Sequence, residues 1–454
     1  MAQIINKTLI YRLVATVAFL SVAYSIVSAQ TIPAPEREHL LNGLTILYAA
    51  RAGDPNVFMK LRINSGAAFD LAGKAGTMAL LADAMFPETT TKEYVAEQLG
   101  GRLDVSTTYD FIEVTISGKS SGLERMIELL RNALVNVNLS AESVATLREA
   151  RLKELSQKQP NAGDIIDRAV IERLFGSYPY ANPAEGTVAS VSKIDRADLM
   201  LARERFLNAD NATLVVIGGV DKARLMRDLR QILGPWQKSE RIVPATFRQP
   251  GPVGAKVLLI DHALANQAEV RIAFRGLSRS DRDATAASLL PSIIKQRWQA
   301  ADKELSSVAV MNHPYALMGT FMLRATVPIG SAANAVTTAQ VTLRSIAKDG
   351  PSATEMEVAR ETIVRRSVSE VEDISEAWLD GDTYKPESNS TGNVNNVTPD
   401  DVRRAAARLF ENGAPEAIVV MGNQAELKIQ FGDNAQLQEL PKPNLPATPA
   451  TKKP

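Results

Sequence analysis

The chain has 454 residues, with 51 Lys and Arg against 51 Asp and Glu, three histidines and no cysteine. The balanced charge excludes a globally basic nucleic-acid binder. The absent thiols exclude disulfides and thiolate metal sites, and the length points to two or three domains.

At the N-terminus, Lys7 and Arg12 flank the start of an apolar run over residues 13–27, and small residues, Val27 and Ala29, stand at −3 and −1 of a cleavage site. This predicts a secretory signal peptide over 1–29, cleaved after Ala29. The run is short for a membrane span; an uncleaved anchor is the alternative. No cysteine follows the run, which excludes a bacterial lipoprotein. The mature protein is expected to be exported, periplasmic in a Gram-negative source, with no membrane span after cleavage.

"GLTILYAA" and "VFMKLRINSG" predict a strand pair around a turn at "AGDPN". Helices are expected over 77–85 and in "TKEYVAEQLGG", which stops at its glycine pair. "RLDVSTTYDFIEVTISGK" reads as two strands, and "GLERMIELLRNALVN" as an amphipathic helix. Ser140 is the expected N-cap of the helix in "SAESVATLREARLKELSQKQ". Further helices are expected over 164–175 and 197–206, and "ATLVVIGG" is a buried strand that lacks the spacing of a phosphate loop. Asp380 and Asp382 read as single charges in a loop. The closing "PKPNLPATPATKKP" is expected to be a disordered tail, assigned to 431–454.

The order of elements repeats. "VFMKLRI" is echoed by "QAEVRIAF", the helix with Arg148 and Glu149 by one with Arg360 and Glu361, and "ARERFLNADNATLVVIGGVD" by "AAARLFENGAPEAIVVMGNQ". A repeat of this length indicates a duplicated domain. The expected organisation is a first domain over 30–235, a Pro-containing linker over 236–254 and a second domain over 255–430. Each is α+β, with a mostly antiparallel sheet covered by helices on one face.

"LNGLTILYAA", "LRINSGAAFDLAGKAGTMALLADAMF" and "EQLGGRLDVSTTYDF", in this order, resemble the opening segments of the pitrilysin/insulinase peptidases, the inverzincins. "LFGSYPYANPAEGTVASVSKIDRADLMLARERFLNADNATLVVIGGVD" resembles the end of that family's first domain. The resemblance runs over about 41–422 and implies tandem homologous domains facing each other across a polar chamber. The family places its chemistry on H-x-x-E-H, two zinc-binding histidines with a Glu general base between them. Here Ala79 and Asp83 stand at the histidines and Ala82 at the Glu. Of the two later acidic positions Glu149 fits the first, while Ser156 replaces the second; a two-residue shift would bring Glu154 there. An Arg–Tyr pair in the second domain falls on Asp302 and Ala309, or on Ser306 by a second anchor, with Arg297 and Tyr315 nearby at the wrong spacing.

A catalytic zinc needs three protein ligands and a water, so the resemblance implies a member with a degenerate site, not expected to be an enzyme on its own. No cofactor is expected in this chain; zinc belongs to a partner, an insulinase-family subunit with which it would form a heterodimer. Asp104, Val105 and Ser106 match the strand edge on which the family receives an extended peptide, so unfolded peptides are possible ligands; a plain structural strand is the alternative. Two other functions stay open: an active metallopeptidase with an unusual ligand set, and a stand-alone periplasmic peptide-binding protein.

Overall fold

The computed structural model describes residues 34–239, 247–365, 370–384, 394–411 and 414–438. The predicted signal peptide, part of the linker and the Pro-rich residues after 438 lie outside these.

The first half of the chain builds a sheet from β1 (Glu36–His39), β2 (Thr45–Ala50), β3 (Asn56–Ile63), β4 (Arg102–Thr107), β5 (Ile112–Lys119) and β6 (Ala212–Gly218), in the order β1-β2-β6-β3-β5-β4. The second builds one from β7 (Val257–Asp261), β8 (Gln267–Gly276), β9 (Ser306–His313), β10 (Gly319–Pro328), β11 (Glu416–Gly422) and β12 (Ala435–Gln438), in the order β12-β7-β11-β8-β10-β9. Apart from β1 and β12 the two orders correspond strand for strand. In each, a parallel pair, β2–β6 or β7–β11, is followed by antiparallel neighbours; at the outer edge β1 joins β2 antiparallel, while β12 joins β7 parallel. The duplication read from the sequence is thus a duplication of topology, and the fold is α+β.

The expected β2–β3 hairpin does not form. β6 lies between them, parallel to β2 and antiparallel to β3. Every residue of β6 is buried, and a strand this apolar belongs in the middle of a sheet. At the other end, residues expected to open the tail instead complete a helix and pair as β12 with β7. The expected linker begins inside the first domain, since the Trp236 indole is buried and donates to the Leu207 carbonyl at 3.0 Å.

The first domain carries helices α1 (Thr77–Met85), α2 (Thr89–Glu97), α3 (Leu123–Leu134), α4 (Ala141–Gln157), α5 (Ala162–Phe175), α6 (Val188–Val191), α7 (Arg196–Phe206) and α8 (Lys222–Leu233). The second carries α9 (Ala284–Ala301), α10 (Ala332–Asp349), α11 (Ala353–Arg365), α12 (Glu370–Tyr384), α13 (Pro399–Phe410) and α14 (Gln424–Phe431). Caps fix the starts: the Ser140 hydroxyl accepts from the Ser143 amide, and Thr398 and Asp401 form a capping box. Among the described residues no helix is long and apolar enough to cross a membrane.

Helices cover both faces of the sheets, because the domains exchange one each. Helix α5 leaves the first domain and lies on β8 and β11, burying Ile166, Val170 and Leu174 against Ala273, Val419 and Met421. Helix α12 leaves the second and lies on β6 and β3, packing Leu379, Trp378 and Ile374 on Leu47, Val215 and Ile217. Asp380 and Asp382 therefore sit on a helix, not in a loop. Asp380 accepts from Arg62 at 2.6 Å and from Arg279 at 3.0 Å. Asp382 accepts from the Thr213 hydroxyl at 2.8 Å and pairs with Arg37. The described contact between domains is thus an apolar seam with ion pairs, where the resemblance implies a polar chamber.

Candidate functional site

The helix that would carry the zinc ligands forms as read from the sequence, over Thr77–Met85. It opens at Gly76, whose φ of 97° suits glycine. A Cβ there would also lie 2.9 Å from the Glu185 carbonyl oxygen. Asp70 caps the helix, accepting from the amides of Gly76 at 2.6 Å and Met78 at 2.8 Å. Met78, Leu80, Leu81 and Met85 fill the core of the first domain.

Ala79 and Asp83 lie one turn apart on one helix face. Ala79 is buried, and Ala82 is buried within the apolar core. Asp83 is half-buried and held by Arg151 of α4: Nη2 donates to Oδ1 at 2.7 Å and to Oδ2 at 2.6 Å, and Nε to Oδ2 at 3.0 Å. The same guanidinium donates through Nη1 to Glu154 at 3.2 Å. Burial raises the Asp83 carboxyl above its ordinary value, with Arg151 pulling the other way.

Arg151 was not among the residues singled out from the sequence, although a signal for it exists. Val144 is the buried residue of α4. Counting at the helical period from it reaches Arg148, Arg151 and Leu155 on the same face. Glu149 and Ser156 fall off that face and are exposed. The two-residue shift does bring in Glu154, but as an acceptor of Arg151.

The site therefore offers one carboxylate already satisfied by a guanidinium, two alanines and no imidazole. Among the described residues no group of three His, Asp or Glu side chains could hold a metal ion. A zinc ion does not fit these side chains: a cationic donor stands against the carboxylate that would be its ligand, and Ala82 has no group to move a proton.

The second-domain wall also lacks its pair. Asp302 is buried and accepts from the Glu304 amide at 3.0 Å and from Asn334 at 3.0 Å. Ala309 sits within β9 opposite Arg324, and the Ser306 hydroxyl donates to the Thr326 carbonyl. Arg297 is engaged in helix packing, donating to Glu355 at 2.6 and 2.9 Å and to the Gly350 carbonyl at 2.8 Å. Tyr315 joins Tyr109 and Tyr180 in an aromatic cluster at the domain seam.

Asp104, Val105 and Ser106 lie on β4, the last strand of the first sheet. They pair on one side with Thr115, Val114 and Glu113 of β5. Val105 packs toward the core, while Asp104 and Ser106 are exposed. An edge strand leaves half of its backbone groups for another partner.

Two topologically equivalent α+β domains, with a metal-site helix whose frame persists and whose ligands do not, define the class. Residues 45–188 match Insulinase (Peptidase family M16), and residues 193–363 match the Peptidase M16 inactive domain. The chain belongs to the M16 peptidase family.

Relatives include the human mitochondrial cytochrome b-c1 complex subunit 1, 26% identical over 289 residues, or 62% of this chain and 60% of that one. The bovine subunit is 24% identical over 207 residues, 44% of this chain and 43% of its own. The chain thus spans less than two thirds of these mitochondrial relatives. An uncharacterized zinc protease of Mycobacterium leprae is 22% identical over 76% of this chain and 82% of its own. Among solved structures, a peptidase M16 inactive domain from Pseudomonas fluorescens has a TM-score of 0.75 at 19% identity, covering 86% of this chain and 98% of that one. The periplasmic protease PqqL from Escherichia coli has a TM-score of 0.68 at 15% identity, covering 91% of this chain and 52% of that one.

Proposed function

We propose that this chain is an exported M16 pseudopeptidase, the non-zinc subunit or peptide-holding partner of a zinc-bearing M16 peptidase. The observation that carries this reading is the Asp83 carboxylate in the grip of Arg151, with alanine at both 79 and 82. Such a chain keeps a scaffold and loses the means to activate water. The kinship with a protein named as one subunit of a larger complex supports a partner role. Among the described residues β4 ends the first sheet, and such an edge can take an extended peptide as a further strand without any side-chain chemistry. Export, to the periplasm of a Gram-negative cell, rests on the signal-like residues 1–29; fractionation of cells expressing the full chain tests it.

The principal test uses the mature chain alone and then with a co-expressed M16 chain that carries H-x-x-E-H. Alone, it should neither retain stoichiometric zinc nor cleave unfolded peptides. Co-purification of the two chains supports the reading. Zinc retention with hydrolysis by the isolated chain overturns it in favour of an unusual metallopeptidase. Peptide binding without any zinc-bearing partner favours the stand-alone binding protein.

A further inference from the structure

The geometry points to Arg151 as a built-in replacement for the metal: its guanidinium takes the cation's place between Asp83 of α1 and Glu154 of α4 and ties the two helices together. This inference rests on the reading of the chain as a pseudopeptidase and adds the residue that closes the site. Three donor–acceptor contacts of 2.6–3.0 Å join Arg151 to Asp83, and a fourth of 3.2 Å joins it to Glu154. A planar guanidinium satisfies both oxygens of a carboxylate at once, which a lysine would not. Arg151 keeps only 15% of its side chain exposed. Because α4 presents this position to α1 and turns Glu149 and Ser156 away, position 151 is also where a carboxylate would meet histidines placed at 79 and 83.

Two consequences separate this from a chance ion pair. Restoring the family motif in α1 alone should not restore metal binding, because the Arg151 guanidinium, though released from Asp83, still stands between the helices and puts a positive charge where the third ligand is needed. Changing Arg151 as well should restore it.

The experiment compares A79H/A82E/D83H with A79H/A82E/D83H/R151E, each folded by circular dichroism, for zinc retained after dialysis and for affinity by titration calorimetry. The expected result is at least about a hundredfold tighter zinc binding by the quadruple variant, close to one ion per chain, and none retained by the triple variant. One retained zinc in the triple variant, or none in a folded quadruple variant, overturns the inference.

If placing His and Glu in the packed helix prevents folding, D83N, R151M and D83N/R151M form a double-mutant cycle read by thermal melting. R151M should lower the melting temperature by about 1–3 °C, and D83N should add almost nothing to it. Strictly additive shifts would overturn the tie between the helices. These readouts are independent of the wild-type chain's zinc content and hydrolysis, so failure here and failure of the pseudopeptidase reading are told apart.

Discussion

Arg62 on β3 and Arg271 on β8 each bond an acidic residue on the helix contributed by the other domain. Arg62 bonds Glu376 of α12, and Arg271 Nε donates to Asp167 of α5 at 2.6 Å. Lys60, two residues before Arg62 on the same face of β3, also donates to Glu376 at 2.6 Å. Arg62 is fully buried, stacks on the Phe111 ring at 4.1 Å and also bonds Glu113 and Asp380. Replacing it leaves three carboxylates around an absent cation. R62M should destabilise the chain by about 2–4 kcal/mol, discounted because Glu376 and Asp380 keep water contact. E376Q, which leaves Arg62 two carboxylates, should lose about 1 kcal/mol. Urea unfolding of both variants checks the ordering.

Leu379 is the fully buried anchor of α12 on the first sheet. L379A removes most of a core side chain where two domains meet, and should cost about 2–4 kcal/mol. If α12 did not dock on β6, the loss would stay below about 1 kcal/mol. Thermal melting together with amide exchange in β6 distinguishes the two.

Glu355 is held by Arg297 and capped by Ser352, which brings its carboxyl down from an ordinary 4.5 to about 2. Between these values the unfolded chain binds a proton that the folded chain refuses. The stabilisation from this pair is therefore complete above pH 4.5 and drains away as the pH falls toward 2. E355Q should be less stable than wild type at neutral pH, and the gap should close on acidification through that window. Melting temperatures from pH 5 to 2 test it.

The Gly218–Gly219 pair after β6 serves close packing. A Cβ on Gly219 would fall 1.8 Å from the Asp54 carbonyl oxygen, and one on Gly218 would fall 2.4 Å from that of Asn56. Both distances are too short to relax without moving the turn at 51–55. G219A should destabilise by at least about 2 kcal/mol, and neither the unmodified chain nor the variant should bind phosphate or nucleotide. A melting scan and a nucleotide titration measure the two effects.

Addition of an unfolded peptide should slow amide exchange in Asp104–Val105–Ser106 and leave the central β6 unchanged, if β4 accepts a strand. Unchanged exchange across β4 at saturating peptide would return these residues to a structural role.

Much of this was legible in the sequence because it is local. Periodicity and caps placed α1 and α4, repeated segments announced the duplicated domain, and the missing imidazoles and base were plain at 79, 82 and 83. Other features depend on which surfaces meet. The stripe Val371, Ile374, Trp378 marks α12 as a helix, yet nothing local says that it crosses to the other domain. That was decided by the face of β2 and β6 whose apolar residues Leu47, Val215 and Ile217 had to be buried by something. Likewise, Asp83 alone read as a leftover ligand. Only the packing of α4 on α1 set Arg151 against it, because a helix chooses the face it presents by its apolar residues, here the buried Val144 and the partly buried Leu155, and not by the order of its charges.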